Sequence, residues 1–238
     1  MGYRHILFDL DRTLWDFDGN AEKTFACMFD EFGIADICHT DLHSFHAIFH
    51  TINESLWEGY RNGTINKELL RVKRFSQTLE HFHAAPILIG RIASQMSDYY
   101  INRNTLRTGL MPGAKELLDY LSGKTEYTLS IITNGFHEAQ IPKMRHSGLT
   151  PYFKHIFLSE EIGAQKPDVR FFSTVLQRLG AAPSECIVIG DDFKVDILGA
   201  RNAAIPQIFY NLHPGNAAQL PFSPTYEVTH LLQIKDIL

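Results

Sequence analysis

Five aspartates follow two short apolar runs of this sequence. Asp9 and Asp11 come after the first run, and the second is followed by Asp191, Asp192 and Asp196. Carboxylates that converge on one place repel one another unless a cation lies among them. Oxygen-only ligands that leave room for water and phosphate favour Mg²⁺. If the two runs end at the same edge of a sheet, the spacing predicts a magnesium site there.

Two further elements could hold a phosphate group. One apolar run ends at Thr133-Asn134-Gly135, which supplies a hydroxyl and backbone N–H groups near a predicted helix start. Lys166, next to Pro167, supplies a point positive charge. Each element alone could be an ordinary turn or helix cap. Their occurrence in order, each after a predicted strand, favours one shared phosphate site.

The elements that must position these residues are short apolar runs bounded by polar residues and glycine. Such runs are typical of buried parallel strands, and they occupy residues 5–8, 128–132, 155–158, 186–189 and 207–210. Helical patterns lie between them, for example at 114–121 and 169–179. The alternation predicts an α/β fold, a doubly wound Rossmann-like parallel sheet. Ligands of such sheets bind beyond the carboxyl ends of the strands, where the polar residues above would meet.

The segment from about residue 18 to about residue 108 has a different pattern. It contains no strand-like run, and apolar residues recur at helical spacing, as in Phe25, Met28, Phe29 and Phe32. We interpret it as an inserted α-helical domain. The predicted domains are therefore a Rossmann-like core of residues 1–18 and 109–238, and a helical cap of residues 19–108.

Composition excludes several classes of protein. The 238 residues are 45% hydrophobic and 21% charged, which is ordinary for a globular protein, and the net charge of -5 argues against binding to a nucleic acid polymer. The three cysteines form no C-x-x-C pair, so neither a disulfide framework nor a zinc ribbon is indicated. No apolar run approaches the ~18 residues of a membrane span, and the N-terminus does not resemble a signal peptide. We therefore expect a cytoplasmic protein without a membrane partner.

Four motifs together resemble a known family. In chain order they read F-D-L-D-R-T-L, I-I-T-N-G-F, Q-K-P and I-G-D-D-F-K-V-D. This series resembles the haloacid dehalogenase superfamily of phosphohydrolases, and the insertion is placed as in its helical-cap (C1) subclass. Shorter stretches around Trp57, Tyr60 and residues 159–163 are similar to the YjjG-like pyrimidine 5'-nucleotidase branch.

The resemblance implies a chemical role for three of the aspartates. Asp9 would be the nucleophile that forms an aspartyl-phosphate. Asp11 would protonate the leaving oxygen and later accept a proton from water. Mg²⁺ would bind the carboxylate of Asp9, the backbone carbonyl of Asp11, and Asp191. In the dehalogenases of this superfamily a tyrosine, not an acid, occupies the position that corresponds to Asp11. The acid here argues for phosphate-ester hydrolysis and against carbon–halogen cleavage.

The resemblance also implies which residues bind phosphate. Thr133, the amide region of Asn134, and Lys166 would hold the phosphoryl oxygens, and Lys166 would offset their charge. Asp196 would be auxiliary, either through water or by orienting Lys166. Asp192 is a further auxiliary residue, at a position where relatives often have a small hydroxyl residue.

The expected substrate is a small phosphorylated metabolite. The resemblance favours nucleoside 5'-monophosphates, with pyrimidines preferred. Sugar phosphates or a broad range of small metabolites are the alternative substrates, and a non-catalytic phosphate-binding regulatory module is the alternative of another class. Trp15, Trp57 and Tyr60 could each offer an aromatic face to a nucleobase or simply pack in a core.

Two features stay open at the level of sequence. Arg12 replaces the glycine or aspartate that usually follows the second aspartate of the first motif, and it could face solvent, an acidic neighbour or substrate. His39, His43, His46 and His50 would share one face of a single helix. That face could bind a transition metal, although a solvated or packing face is the simpler interpretation.

Overall fold

The computed structural model describes residues 2–214 and 220–238. The chain divides into two compact units. The core unit comprises Met1–Phe17 and Thr108–Leu238, and the helical unit comprises Asp18–Arg107.

The core unit contains a six-stranded parallel sheet. Its strands are β1 (His5–Phe8), β2 (Thr128–Thr133), β3 (His155–Leu158), β4 (Cys186–Gly190), β5 (Gln207–Tyr210) and β6 (Tyr226–Val228). The spatial order is β3-β2-β1-β4-β5-β6, which is the order of a doubly wound dinucleotide-type sheet. This confirms the predicted Rossmann-like parallel sheet. β1 is central and pairs with β2 and β4 in one register, so that His5 lies opposite both Thr128 and Cys186.

The strands are mostly apolar because both faces of the sheet are covered. Successive side chains of a strand point to opposite faces. Ile6 and Phe8 therefore belong to one apolar cluster, whereas Leu7 belongs to another with Val188. Burial on both sides accounts for the continuous apolar runs in the sequence.

Helices connect these strands. They are α6 (Ala114–Ser122), α7 (His137–His146), α8 (Ser159–Ile162), α9 (Val169–Leu179) and α10 (Leu198–Asn202), with 3₁₀ turns at Thr150–Tyr152, Pro183–Glu185 and Leu231–Asp236 and a π turn at Phe193–Ile197. Local sequence determines both ends of α9. Asp168 accepts a hydrogen bond from the N–H of Arg170 at its start, and Gly180 adopts a left-handed backbone with φ of 63° at its end.

The helical unit contains five helices and no strand among residues 18–107, all of which the structure describes. The helices are α1 (Phe17–Glu31), α2 (Ile34–Cys38), α3 (Leu42–Arg61), α4 (Lys67–His81) and α5 (Pro86–Asn104). Aromatic rings fill its centre: the Phe25 ring lies 4.6 Å from that of Phe49 and 5.3 Å from that of Tyr100, measured between centroids. No helix in the described ranges of either unit is both long and apolar enough to cross a membrane.

The four histidines do not share one helix. α2 ends at Cys38, and His39 follows it with a left-handed φ of 48°. α3 begins only at Leu42, after Asp41 has capped it, so the prediction of a four-histidine face is wrong for His39. His46 packs against the ring of Phe25 with 4.9 Å between centroids, and burial lowers the pKa of this histidine. The predicted histidine face is therefore partly a packing surface.

Candidate active site

Asp9 and Lys166 form a buried ion pair at the carboxyl end of the central strand. Asp9 directly follows β1, and its N–H donates to the carbonyl of Ile189 at 2.9 Å. Nζ of Lys166 lies 2.7 Å from Oδ1 of Asp9 and 2.6 Å from Oδ1 of Asp196, and it donates to the carbonyl of Ile132 at 2.9 Å. These three acceptors use all three donors of the ammonium, and Lys166 is only 1% exposed.

Burial and charge act in opposite directions on these groups. Burial raises the pKa of Asp9, and Lys166 opposes that rise. Burial likewise raises the pKa of Asp196 to about 7, again against the effect of Lys166. For Lys166 itself burial acts to lower the pKa, but the charges of Asp196 and Asp9 more than compensate and raise it. The lysine therefore stays charged and stabilises the carboxylate form of Asp9.

Asp191 has the chemistry of a cation ligand. It follows β4, and its Oδ1 accepts a hydrogen bond of 3.0 Å from the hydroxyl of Thr13. Burial, together with repulsion from Asp9 and Asp196, raises the pKa of Asp191 well above its usual value. Carboxylate oxygens of these three aspartates lie within 4.8 Å of one another. A divalent cation would relieve that repulsion, so the donor set fits Mg²⁺.

Asp192 points elsewhere. Its Oδ1 accepts hydrogen bonds from the N–H groups of Lys194 at 2.9 Å and Val195 at 3.0 Å. The side chain thus caps the π turn that carries Asp196. Asp192 therefore acts on the site indirectly, by stabilising the backbone turn that carries Asp196.

Asp11 is held by a different set of partners. β1 ends at Phe8, so strand alternation does not extend to Asp9 and Asp11. Oδ1 of Asp11 lies 2.7 Å from Nζ of Lys143, and its Oδ2 accepts a hydrogen bond of 2.8 Å from Nε2 of Gln140. Both partners lie on α7, the helix that follows the Thr133-Asn134-Gly135 turn.

The turn after β2 presents one hydroxyl to this region. Oγ1 of Thr133 accepts hydrogen bonds from Nε2 of Gln140 at 2.8 Å and from the N–H of Gly135 at 3.0 Å. Because a hydroxyl has two acceptor positions and one donor, its proton is left to donate to a phosphoryl oxygen. Asn134 instead brackets the backbone of Lys166: its Nδ2 donates to the Lys166 carbonyl at 2.8 Å, and its Oδ1 accepts from the Lys166 N–H at 2.9 Å.

The structure corrects the expectation for Trp15. This side chain has 0% exposure and lies within an apolar cluster of the core unit. A ring without exposed surface cannot stack on a ligand, so the prediction that Trp15 contacts substrate is wrong. Arg12 is half-buried with a left-handed φ of 65°, and its guanidinium carbon lies 4.6 Å from the centroid of the Phe17 ring.

Trp57 and Tyr60 lie on α3 in the helical unit. Both are half-buried, and their ring centroids are 5.7 Å apart in an edge-to-face arrangement. Their contact with substrate stays a prediction.

Three residues of the site were missed in the sequence: Thr13, Gln140 and Lys143. A signal existed for two of them, because Gln140 and Lys143 lie three residues apart in the helix that directly follows the phosphate-type turn. Residues at that spacing share a helix face. Thr13 carried no comparable signal, since its hydroxyl reaches an aspartate 178 positions away in the chain.

We expect Gly190→Ala to destabilise the core unit. A Cβ at position 190 would lie 2.5 Å from Oδ2 of Asp196, which is itself fixed by Lys166. The free energy of unfolding in urea should fall by about 1–3 kcal/mol because the buried pair must move. Gly90→Ala in α5 is the control: its Cβ meets no atom within 4 Å, and the substitution should raise that free energy by about 0.5–1 kcal/mol. Wild-type stability for Gly190→Ala would contradict the packing described here.

Comparison with known proteins agrees with this geometry. The family model for haloacid dehalogenase-like hydrolases matches residues 3–204. The pyrimidine 5'-nucleotidase PynA of Streptococcus pneumoniae is 34% identical, over 100% of this chain and 96% of PynA. The pyrimidine 5'-nucleotidase YjjG of Escherichia coli is 29% identical, over 100% of this chain and 99% of YjjG.

A solved structure is similar over the whole length as well. The magnesium-bound crystal structure of YfnB, a HAD-hydrolase of Bacillus subtilis, superposes with a TM-score of 0.86 at 28% identity, covering 100% of this chain and 99% of YfnB. The expected family resemblance is thereby confirmed. From the match over residues 3–204, the full-length similarity to PynA and the parallel sheet, this chain belongs to the haloacid dehalogenase-like hydrolase family.

Proposed function

We propose that this protein is a Mg²⁺-dependent phosphatase of nucleoside 5'-monophosphates, with pyrimidine nucleotides preferred. The observation that carries the proposal is the buried pair of Asp9 and Lys166 beside Asp191, whose carboxylate oxygen lies within 4.8 Å of oxygens of Asp9 and Asp196. The names of PynA and YjjG support the substrate class, because both are pyrimidine 5'-nucleotidases.

Asp9 is the nucleophile of the proposed reaction. Its carboxylate attacks phosphorus, the ester P–O bond breaks, and an aspartyl-phosphate forms. Lys166 keeps Asp9 ionised and offsets charge on the phosphoryl oxygens, while the Thr133 hydroxyl donates to one of them.

Asp11 moves the proton in both halves of the reaction. The leaving oxygen takes the electron pair of the broken bond together with a proton from the Asp11 carboxyl. Asp11, now a carboxylate, accepts a proton from the water that attacks the aspartyl-phosphate. Inorganic phosphate leaves, and Asp9 is regenerated.

The carboxylates of Asp9 and Asp191 and the backbone carbonyl of Asp11 would hold Mg²⁺. When bound, the ion supplies positive charge to the phosphoryl oxygens and to the crowded carboxylates. Asp196 is close enough to join this set, but both of its oxygens are engaged: Oδ1 by Lys166 at 2.6 Å, and Oδ2 by the N–H of Asp192 at 3.3 Å. We therefore assign Asp196 to orienting Lys166.

The helical unit is proposed to serve as the cap that selects the substrate. Residues 18–107 fold around their own aromatic core. The half-buried rings of Trp57 and Tyr60 are the aromatic surface proposed to contact the nucleobase. A cytoplasmic location also stays a prediction, made from the sequence.

The first test is hydrolysis by the purified wild-type protein with and without Mg²⁺. We expect EDTA to abolish phosphate release from p-nitrophenyl phosphate and added Mg²⁺ to restore it, because Asp191 otherwise repels Asp9. Activity that survives chelation would contradict the metal assignment. A protein that binds phosphate but hydrolyses nothing would instead be the regulatory module.

A substrate panel tests specificity. UMP, dUMP, CMP, AMP and glucose 6-phosphate are compared by kcat/KM, and we expect the pyrimidine nucleotides to lead. Equal values across the panel would indicate a broad phosphatase. A lead for glucose 6-phosphate would transfer the proposal to sugar phosphates.

A further inference from the structure

Two side chains of α7 hold Asp11, and one of them connects it to Thr133, the first residue of the Thr133-Asn134-Gly135 turn. Gln140 donates from one nitrogen both to Oδ2 of Asp11 and to Oγ1 of Thr133, each at 2.8 Å. Lys143 holds the other oxygen of Asp11 at 2.7 Å. The proposed proton donor and the proposed phosphate-holding hydroxyl are thus tied to the same helix face.

Both side chains are buried in fixed positions. Gln140 is 0% and Lys143 is 5% exposed, and Nζ of Lys143 lies 4.3 Å from the centroid of the Trp15 ring. Gly135 leaves the space for Gln140, since a Cβ there would lie 2.0 Å from its Nε2. A buried ammonium is costly unless an anion pairs with it. Asp11 is the carboxylate in salt-bridge contact with Lys143 among the residues that the structure describes.

We propose that Lys143 and Gln140 are positioning residues that orient the Asp11 carboxyl toward the leaving oxygen. This inference rests on the proposed phosphatase function. Each Asp11 oxygen accepts one hydrogen bond from α7. The carboxyl group has roughly four lone-pair sites on its two oxygens, so about two remain for the transferred proton.

The dependence of rate on the leaving group separates this role from a structural one. Departure of a nucleoside alkoxide needs a proton, whereas 2,4-dinitrophenolate leaves without one. The ratio kcat/KM reports the steps up to the first P–O cleavage. For Lys143→Met we expect kcat/KM with UMP to fall roughly 10²- to 10⁴-fold, the range of general acid catalysis. With 2,4-dinitrophenyl phosphate it should fall much less.

Conservative and control variants complete the experiment. Lys143→Arg should recover part of the lost activity with UMP, because it restores the positive charge. Gln140→Leu should lose more activity with UMP than with 2,4-dinitrophenyl phosphate, on top of a loss common to both substrates because the Thr133 hydroxyl loses its partner. It provides the comparison if Lys143→Met does not fold. Arg145→Met, an exposed cation of the same helix, should leave both substrates unchanged.

Equal losses with both substrates, or unchanged kcat/KM with UMP, would overturn the positioning role. Failure of the proposed function itself looks different. In that case the wild-type protein hydrolyses neither ester, or its hydrolysis does not need Asp9.

Discussion

Replacing Asp9 with asparagine should reduce kcat by roughly 10⁴- to 10⁶-fold, the loss found when a nucleophile is removed. The amide has the same shape and can still accept the hydrogen bond from Lys166, so the fold should persist. It is too weak a nucleophile to attack phosphorus. The measurement is phosphate release from UMP under saturating Mg²⁺, with circular dichroism to verify folding.

A covalent readout makes this expectation sharper. Wild-type protein quenched with acid during turnover should carry phosphate on the peptide that contains Asp9, and Asp9→Asn should carry none. Asp98→Asn, at an exposed aspartate of the helical unit that pairs with Arg71, is the matched control and should behave as wild type. Turnover near the wild-type rate in Asp9→Asn would place the nucleophile elsewhere.

Replacing Lys166 with methionine should remove both activity and stability. The substitution leaves Asp9 and Asp196 buried without their shared cation, at 2.7 and 2.6 Å from where Nζ had been. Stranding a buried charge typically costs about 3–5 kcal/mol of unfolding free energy. Loss of charge stabilisation at the phosphoryl group should also lower kcat by at least roughly 10²-fold. Urea denaturation and phosphate release measure the two effects.

A double variant separates the two effects. Lys166→Met combined with Asp196→Asn removes one stranded carboxylate, so much of the stability should return. Activity should not return, because no cation then faces Asp9 and the phosphate. Wild-type stability in the single variant would show that the pair is not the buried network described here.

The residues at the strand ends were predictable because sheet geometry brings them together. Asp9 and Asp191 directly follow strands, Thr133 is the last residue of β2, and Lys166 lies in the connection after β3; parallel strands end at one edge. The other five strands were predictable because each is a mostly apolar run of 4–6 residues bounded by polar residues or glycine. β6 was missed because it has three residues, of which Tyr226 and Glu227 are exposed.

The remaining contacts depend on packing across the chain. Gln140 and Lys143 reach Asp11 across 129 and 132 positions. Their spacing shows that they share a helix face, but it does not show that Asp11 is their partner. For Trp15 the sequence left substrate contact and core packing both open, because an aromatic residue beside a catalytic loop has no periodicity to show burial. His39 was misplaced because its left-handed backbone interrupts a helical spacing that the letters alone continue.

The central strand of the sheet is also the first strand of the chain. β1 pairs with β2 and β4, which begin at Thr128 and Cys186. Because synthesis starts at the N-terminus, β1 emerges from the ribosome before either neighbour exists. The sheet cannot close on both sides of β1 until residues as far as Gly190 have been added.

The helical unit has no such delay. Its apolar cluster lies within residues 18–107, and Arg107 ties its end to its beginning, with hydrogen bonds of 3.1 Å to the Thr24 hydroxyl and 2.9 Å to the Lys23 carbonyl. The unit can therefore complete its own contacts before β2 has emerged from the ribosome. A folded insertion with joined ends shortens the effective loop between β1 and β2, which lowers the entropy cost of pairing them.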